Sequence, residues 1–408
     1  MRTSTASTRA RLNATTAPTM LRSSERILTT HSGSLPRPVE LTKLHADRFS
    51  GIAIDEDRLS EATTEATRSV ISAQVDAGID IGNNGEAGRE SFFTYVQHRM
   101  TGFGGASARA GMADILAYPS YIERMLRNSN AHDSVSLLSG PKCIAEIGYP
   151  STALIEAECS QLRALLDERD DGGFFEAFVS SPSPGIVCAA MSNEHYSYLE
   201  DYVDAVADAL AIEYRAILDA GFVLQIDAPD LAMERHTLFA DRPLEEFLDF
   251  ARHVVTAMNR ALEGMDRDRI RLHVCWGNYE GPHDRDVALA EIWETVSAVR
   301  ANAVLLSLAN PRHAHEVRLF ETVALREGVT LVAGVIDTTT NYIEHPEVVA
   351  DRIEKVARVL GDPTRVIAGT DCGFETAAGF SAVAEELVWQ KLRALAQGAE
   401  IATRRLFG

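Results

Sequence analysis

The segments Phe222-Val-Leu-Gln-Ile-Asp-Ala-Pro229 and Ile270-Arg-Leu-His-Val-Cys275 are short runs of apolar and β-branched residues, each ending in polar or sulfur-bearing side chains. Between them lies Leu244–Glu263, where apolar residues recur with the period of an amphipathic helix. A strand, a helix and a second strand in this order predict two parallel neighbouring strands joined by a helical crossover.

The same alternation extends over most of the chain. Between the apolar runs lie helical patterns such as Glu56–Ala77 and Asp201–Ala220. Nine runs are candidate strands: Ile27–Thr30, Ile79–Asn83, Ser134–Leu138, Phe174–Val179, Phe222–Ile226, Ile270–Val274, Ala303–Ser307, Thr330–Ile336 and Arg365–Ala368. The alternation predicts an α/β fold, a single (β/α)8 TIM barrel. Such a barrel has eight strands, so one of the nine candidates is surplus, and we take it to be Phe174–Val179. A doubly wound open sheet is the alternative, which the lack of a Gly-rich phosphate loop after any strand disfavours.

Length and charge restrict the classes of protein to which the chain can belong. The 408 residues include 39 basic and 59 acidic side chains, giving a net charge of −20, which disfavours binding to nucleic acid or anionic lipid. The sequence has no apolar run of membrane-spanning length. Residues 1–25 are predicted to be a disordered tail and residues 26–408 the barrel, although a transit peptide or a start at Met20 stays open. Residues 99–133 are predicted to be an insertion or lid.

Five scattered cysteines are too few for a disulfide framework, so a cytoplasmic protein is expected. The partners that we expect are small molecules, and a homo-oligomer stays open.

Unusual polar residues follow the predicted strands, and in a barrel these positions share the C-terminal rim, where barrel active sites are built. They are Ser34, Glu86, Asp227, His273, Cys275, Asp337 and Cys372. Glu86 and Asp227 suit a substrate ammonium group, and Ser34 suits a carboxylate. Helix capping by the acids and a turn-stabilising serine are the alternatives.

His273-Val-Cys275 is the most specific local feature. Residues i and i+2 of a strand face the same side, so the imidazole and the thiol can reach one point. Cys372, at a later strand end, can complete a set of nitrogen and thiolate donors, which predicts a Zn²⁺ site with an open position. An open position can hold water for hydrolysis or a substrate thiol, and thiolate ligands favour the thiol.

Five motifs occur in an order that resembles the catalytic C-terminal barrel of the cobalamin-independent methionine synthase family. They are Thr29-Thr-His-Ser-Gly-Ser-Leu-Pro-Arg-Pro38, Asn84-Gly-Glu86, Leu224-Gln-Ile-Asp-Ala-Pro229, His273-Val-Cys275 and Gly369-Thr-Asp-Cys-Gly373. The resemblance spans about Ile27 to Ala402 and implies methyl transfer to a zinc-bound homocysteine thiolate. It assigns His273, Cys275 and Cys372 to the metal, Ser34, Glu86 and Asp227 to homocysteine, and Asp337 to the methyl-donor side. Asp227 and Asp337 are the expected catalytic acids.

Three departures from the family pattern concern the fourth zinc ligand and the donor side. The stretch Leu305–Asn310 lacks the family's glutamate ligand, Asp337-Thr-Thr-Thr340 lacks its histidine, and Gly140–Ala145 lacks its tryptophan. Addition of another thiol to an epoxide, as in epoxyalkane:coenzyme M transferase, is therefore an alternative. A decarboxylase-like lyase using Arg37, Arg89 and Arg235 and a non-catalytic barrel are the alternatives of other classes.

Overall fold

Eight parallel strands form a barrel in the computed structural model, which describes residues 19–128, 134–171 and 173–408. The strands are β1 Leu28–Thr29, β2 Ile81–Gly82, β3 Glu176–Pro182, β4 Val223–Asp227, β5 Ile270–Val274, β6 Ala303–Ser307, β7 Thr330–Ile336 and β8 Val366–Thr370. The sheet runs β1-β8-β7-β6-β5-β4-β3-β2, and a parallel bridge between Thr30 and Ile81 joins its two edges. The predicted barrel is confirmed.

The choice of the surplus strand is wrong. Phe174–Val179 belongs to β3, all seven residues of which are buried, whereas Ser134–Leu138 is not a strand. Val135 in that stretch is apolar because it packs against Ala377 and Ala378 on the rim, and its amide donates to the Ala378 carbonyl. Burial of Val135 in this small rim cluster therefore requires an apolar residue, as burial in a strand would.

The barrel is surrounded by helices that bury their apolar faces against the strands. The α-helices are Val39–Phe49, Glu56–Ala77, Ala113–Leu116, Pro119–Asn128, Ala153–Asp167, Pro184–Ala190, Leu199–Asp219, Leu244–Ala261, Leu289–Ser297, Pro346–Leu360 and Glu385–Leu406. Between β6 and β7 the connection instead contains the 3-10 helix Glu316–Glu321. None of the helices in the described part of the chain has the length and apolarity needed to cross a membrane.

The predicted insertion at residues 99–133 reaches over the rim, and residues 129–133 lie outside the described part. It contains the strand Thr101–Gly104, which pairs with Lys142–Gly148 outside the barrel, and the short helices Ala113–Leu116 and Pro119–Asn128. The Tyr279 hydroxyl donates to Asp114 Oδ2 at 2.6 Å, which attaches the insertion to the loop after β5.

The predicted tail comprises residues 1–25, of which residues 1–18 lie outside the described part of the chain. Residues 19–25 pack against the N-terminal end of the barrel. Met20 is 7% exposed and joins an apolar cluster with residues of β1 to β4, and the Leu21 amide donates to Glu176 at 3.2 Å. Residues 19–25 are therefore packed on the barrel, and the division into a tail and a barrel stays a prediction.

Candidate metal and substrate site

Two thiol groups and one imidazole lie close together on the rim. His273 is in β5, Cys275 follows that strand, and Cys372 follows β8, so the barrel closure brings them together. All three side chains are buried, and their donor atoms lie within 4.8 Å of one another. The two Sγ atoms are 3.9 Å apart, which is too long for a disulfide bond.

Asp227, at the end of β4, orients the imidazole of this cluster. Its Oδ1 lies 2.8 Å from His273 Nδ1 and also accepts from Gln225 Nε2 at 2.8 Å. Burial alone would lower the pKa of His273, but the neighbouring Cys275 and Asp227 raise it to about 10. The hydrogen bond from Cys372 and the charge of His273 hold the pKa of Cys275 well below its usual value. The cluster is thus built to stabilise a thiolate.

Glu86 and Ser34 lie against the same site. Glu86 is buried with a positive φ of 57°; its Oε1 accepts from Ser180 Oγ at 2.7 Å, and its Oε2 has no hydrogen-bond partner among the described residues. Burial and the negative charge of Asp227 raise the pKa of Glu86 to about 7. A Cβ on Gly33 would lie 2.4 Å from Glu86 Oε1, so the loop after β1 packs directly on this carboxyl group.

Ser34 contacts the loop that carries Cys372. A Cβ on Gly373 would lie 2.0 Å from Ser34 Oγ, and the Phe374 amide donates to the Ser34 carbonyl at 2.9 Å. The structure therefore places the predicted substrate residues Ser34, Glu86 and Asp227 around the cysteine and histidine cluster.

Asp337 faces a cleft next to this cluster. The lining of the cleft includes Asp337, Thr338, Thr339, Asp371 and Cys372. Asp337 Oδ1 accepts from the amides and hydroxyls of Thr339 and Thr340, at 2.7 to 3.0 Å. One oxygen of this carboxylate is thus fully engaged by the protein itself.

Several residues of the cleft were not predicted from the sequence. Among them, His283 and His313 are buried. His313 stacks on Trp276 at 4.0 Å between ring centroids, and both line the cleft with Asn278 and His283. Because Trp276 directly follows Cys275, the sequence could have indicated that it lines the cleft.

Asp371, next to Cys372, also lines the cleft and was not predicted from the sequence. Its carboxylate accepts from the amides of Leu308, Ala309 and Asn310 at 2.7 to 2.9 Å, and this joins the loops after β6 and β8. Burial, together with the charge of Asp337, raises the pKa of Asp371 to about 7.

The three departures from the family pattern lie in different places. Ser307 ends β6, lines the cleft and donates to the Asp371 carbonyl at 2.8 Å. Thr339 and Thr340 turn their hydroxyls towards Asp337. Residues 140–145 do not follow a barrel strand. They include the start of the outer strand Lys142–Gly148.

Comparisons with known proteins identify related sequences and structures. A family model described as "Cobalamin-independent synthase, Catalytic domain" matches residues 184–394, just over half of the chain. A methionine synthase of Thermococcus kodakarensis is 25% identical over 390 residues, which cover 92% of this chain and 93% of that protein. A methionine synthase of Saccharolobus solfataricus is 23% identical over 382 residues, with 93% and 95% covered.

Solved structures share the fold. The B12-independent methionine synthase of Shewanella sp. W3-18-1 superimposes with a TM-score of 0.71 at 20% identity, covering 93% of this chain and 99% of that one. A Listeria monocytogenes protein described as a putative vitamin-B12 independent methionine synthase gives a TM-score of 0.60 at 19% identity, covering 91% and 96%. The family match and the shared barrel confirm the predicted relationship: this chain is an enzyme of the cobalamin-independent methionine synthase family and contains its catalytic domain.

Proposed function

We propose that the protein is a zinc-dependent thiol methyltransferase that converts homocysteine to methionine. The observation that carries this proposal is the meeting of His273, Cys275 and Cys372 beside the carboxylates Glu86 and Asp227. The relatives named methionine synthase cover nearly the whole chain, which supports the choice of homocysteine as the thiol.

The donor set suits zinc. Two thiolates at about 2.3 Å from a tetrahedral zinc ion would place their sulfur atoms about 3.8 Å apart. The observed separation between the sulfurs of Cys275 and Cys372 is 3.9 Å. Asp227 bonds one imidazole nitrogen of His273, as outer carboxylates do for metal-bound histidines. Bound by these residues, zinc would supply the substrate sulfur as a thiolate at neutral pH, the form that attacks an alkyl carbon.

Glu86 and Asp227 would hold the amino group of the substrate. Two buried carboxylates that repel each other, one with an unpartnered oxygen, gain most from a cation placed between them. This requirement favours an amino-acid thiol over a thiol that lacks an ammonium group. Ser34 and the amides of its loop would receive the substrate carboxylate.

Asp337 would act on the methyl-donor side. It lines the cleft that adjoins Cys372, so a donor bound there would present its methyl group towards the thiolate. A sulfur–carbon bond then forms as the bond from the methyl carbon to the donor breaks, and the donor leaves with the electron pair. With methyl-tetrahydrofolate as the donor, the departing nitrogen takes up a proton from solvent, and Asp337 would orient that proton.

A donor panel tests the proposed function. Purified protein is given homocysteine and either methyl-tetrahydrofolate or methylcobalamin, and methionine is measured. Epoxypropane with coenzyme M serves as the competing reaction. We expect methionine from at least one methyl donor, with loss of product in Cys275→Ser.

The matched control is Cys159→Ser, which changes a buried cysteine on an outer helix. No methionine from either donor, or equal activity of Cys275→Ser and wild type, would contradict the proposal. The epoxide, decarboxylase and non-catalytic alternatives receive no support from the comparisons described above.

A further inference from the structure

A second group of metal-binding side chains lies on the same rim. His236 belongs to the 3-10 helix Met233–His236 after β4, His283 and Asp286 lie in the loop after β5, and His313 follows β6. Donor atoms of His283, Asp286 and His313 lie within 4.8 Å of one another. None of these residues belongs to the cysteine cluster, so this group does not depend on the proposed reaction.

Asp286 is the centre of this group. Its Oδ2 is 2.9 Å from His283 Nδ1 and 2.8 Å from His313 Nε2, and its Oδ1 is 3.2 Å from His236 Nδ1. The side chain of Asp286 is 2% exposed, and those of the three histidines are 1 to 4% exposed. His236 Nδ1 and Asp286 Oδ1 are 3.2 Å apart, and neither atom has a hydrogen-bond partner among the described residues.

The opposite nitrogen of each imidazole faces an oxygen. His283 Nε2 is 3.1 Å from the Tyr279 carbonyl, His313 Nδ1 is 3.5 Å from Glu316 Oε2, and His236 Nε2 is 3.4 Å from the Tyr279 hydroxyl. His313 Nδ1 and Glu316 Oε2 are close but do not form a hydrogen bond in this structure. The outer nitrogen of a metal-bound histidine lies beside a carbonyl, carboxylate or hydroxyl in this way.

We propose that His283, Asp286 and His313, with His236 as a further donor, form a second metal site for a divalent first-row transition ion. Two histidines and one carboxylate without thiolate favour an ion such as Fe²⁺, Mn²⁺ or Zn²⁺. At bond lengths of about 2.1 Å, neighbouring ligands at right angles would be about 3.0 Å apart. The distances of 2.9 and 2.8 Å around Asp286 Oδ2 match this spacing.

The position of the second site gives the ion a place in the enzyme. His283 and His313 line the cleft together with Cys372 and Asp337. The His283 amide also donates to Asp114 Oδ2 at 3.0 Å, which connects the site to the insertion. The ion would therefore fix three rim loops and the insertion around the donor side of the cleft.

Metal analysis of the full chain, purified without a histidine tag, tests the proposal. We expect two metal ions per chain in wild type, one in His313→Ala and one in Cys275→Ser. The matched control is His315→Ala, an exposed histidine two positions away, which should keep both ions. One ion in wild type that is unchanged in His313→Ala would overturn the proposal.

A cobalt titration keeps the proposal falsifiable if His313→Ala does not fold. Metal-free wild type should bind two equivalents of Co²⁺, of which only one gives a thiolate-to-cobalt absorption band. In Cys275→Ser that band should be lost while the other equivalent remains. Glu316→Gln should weaken the second site by about 10- to 100-fold, because Glu316 is an outer partner of His313. Absence of a Co²⁺ equivalent without a thiolate band would overturn the second site and leave the proposed function intact.

Discussion

Two parts of the rim differ in how their carboxylates are satisfied. On the first wall, beside the cysteines, Glu86 has one hydrogen-bonded oxygen and one without a partner, and it repels Asp227. On the second wall, four donors from Thr339 and Thr340 engage one oxygen of Asp337, and three amides engage Asp371. Buried polar groups are nearly always paired, so the unpaired oxygen of Glu86 is consistent with a bound ligand. The first wall therefore fits a charged substrate, whereas the carboxylates of Asp337 and Asp371 are held by the protein itself.

The largest expected effect comes from removing a thiolate from the first wall. Cys275→Ser should lower methyl transfer by about 10³-fold, since a metal-activated nucleophile supplies several kcal/mol to the reaction. Metal content and activity should fall together, as measured by elemental analysis and methionine formation. Cys188→Ser, a buried cysteine in the helix Pro184–Ala190, should retain both.

The second test concerns the pH dependence of stability. The pKa of Glu86 is raised to about 7, so the folded state binds this proton more tightly than the unfolded state does. The resulting stability is present in full below pH 4.5 and is lost as the pH rises through 7, by about 3 kcal/mol. Thermal unfolding of metal-free and substrate-free Glu86→Gln should therefore show a Tm advantage over wild type that widens between pH 4.5 and 7. A Tm difference that stays constant across this range would contradict a raised pKa of Glu86.

The third test compares the kinetic effects of one substitution in each wall. Glu86→Gln removes half of the pair that holds the substrate ammonium and should raise KM for homocysteine by about 10- to 100-fold, as for a charge-assisted hydrogen bond. Asp337→Asn should change this KM by less than about threefold and act on kcat instead. Glu65→Gln, on the exposed face of the helix Glu56–Ala77, is the control for glutamate substitution. Equal KM effects in the two variants would remove the distinction between the walls.

The smallest expected effect is a gain. Ser307 lines the cleft with Cys372 and lies in the stretch Leu305–Asn310, which lacks the family's glutamate ligand, so Ser307→Glu is expected to supply a fourth protein donor. We expect metal to dissociate about tenfold more slowly into a chelator, equivalent to about 1.4 kcal/mol. Ser60→Glu, at an exposed helical position, should leave the release rate unchanged. Faster release from Ser307→Glu would show that this position does not face the metal.

Much of the first wall could be predicted from the sequence because strands place residues by simple rules. The i, i+2 relation of His273 and Cys275 and the shared rim of parallel strands require no knowledge of loops. The error at Phe174–Val179 arose because Val135, in a rim loop, is as apolar as a strand residue.

The second group of metal-binding side chains could not be predicted from the sequence because its residues lie on loops. His283 and His313 come together only through the folded connections after β5 and β6. Glu86 gave a sequence signal, but the unpartnered oxygen that makes it informative depends on Ser180 and Asp227, which come from other strands.

X-ray absorption at the zinc edge, with and without homocysteine, tests the central claim most directly. In protein that carries zinc only at the cysteine site, as expected for His313→Ala, the account predicts two sulfur ligands at about 2.3 Å and a third when homocysteine is added, because the substrate thiolate takes the open position. An unchanged sulfur count on addition of homocysteine, or no sulfur ligand at all, would contradict it.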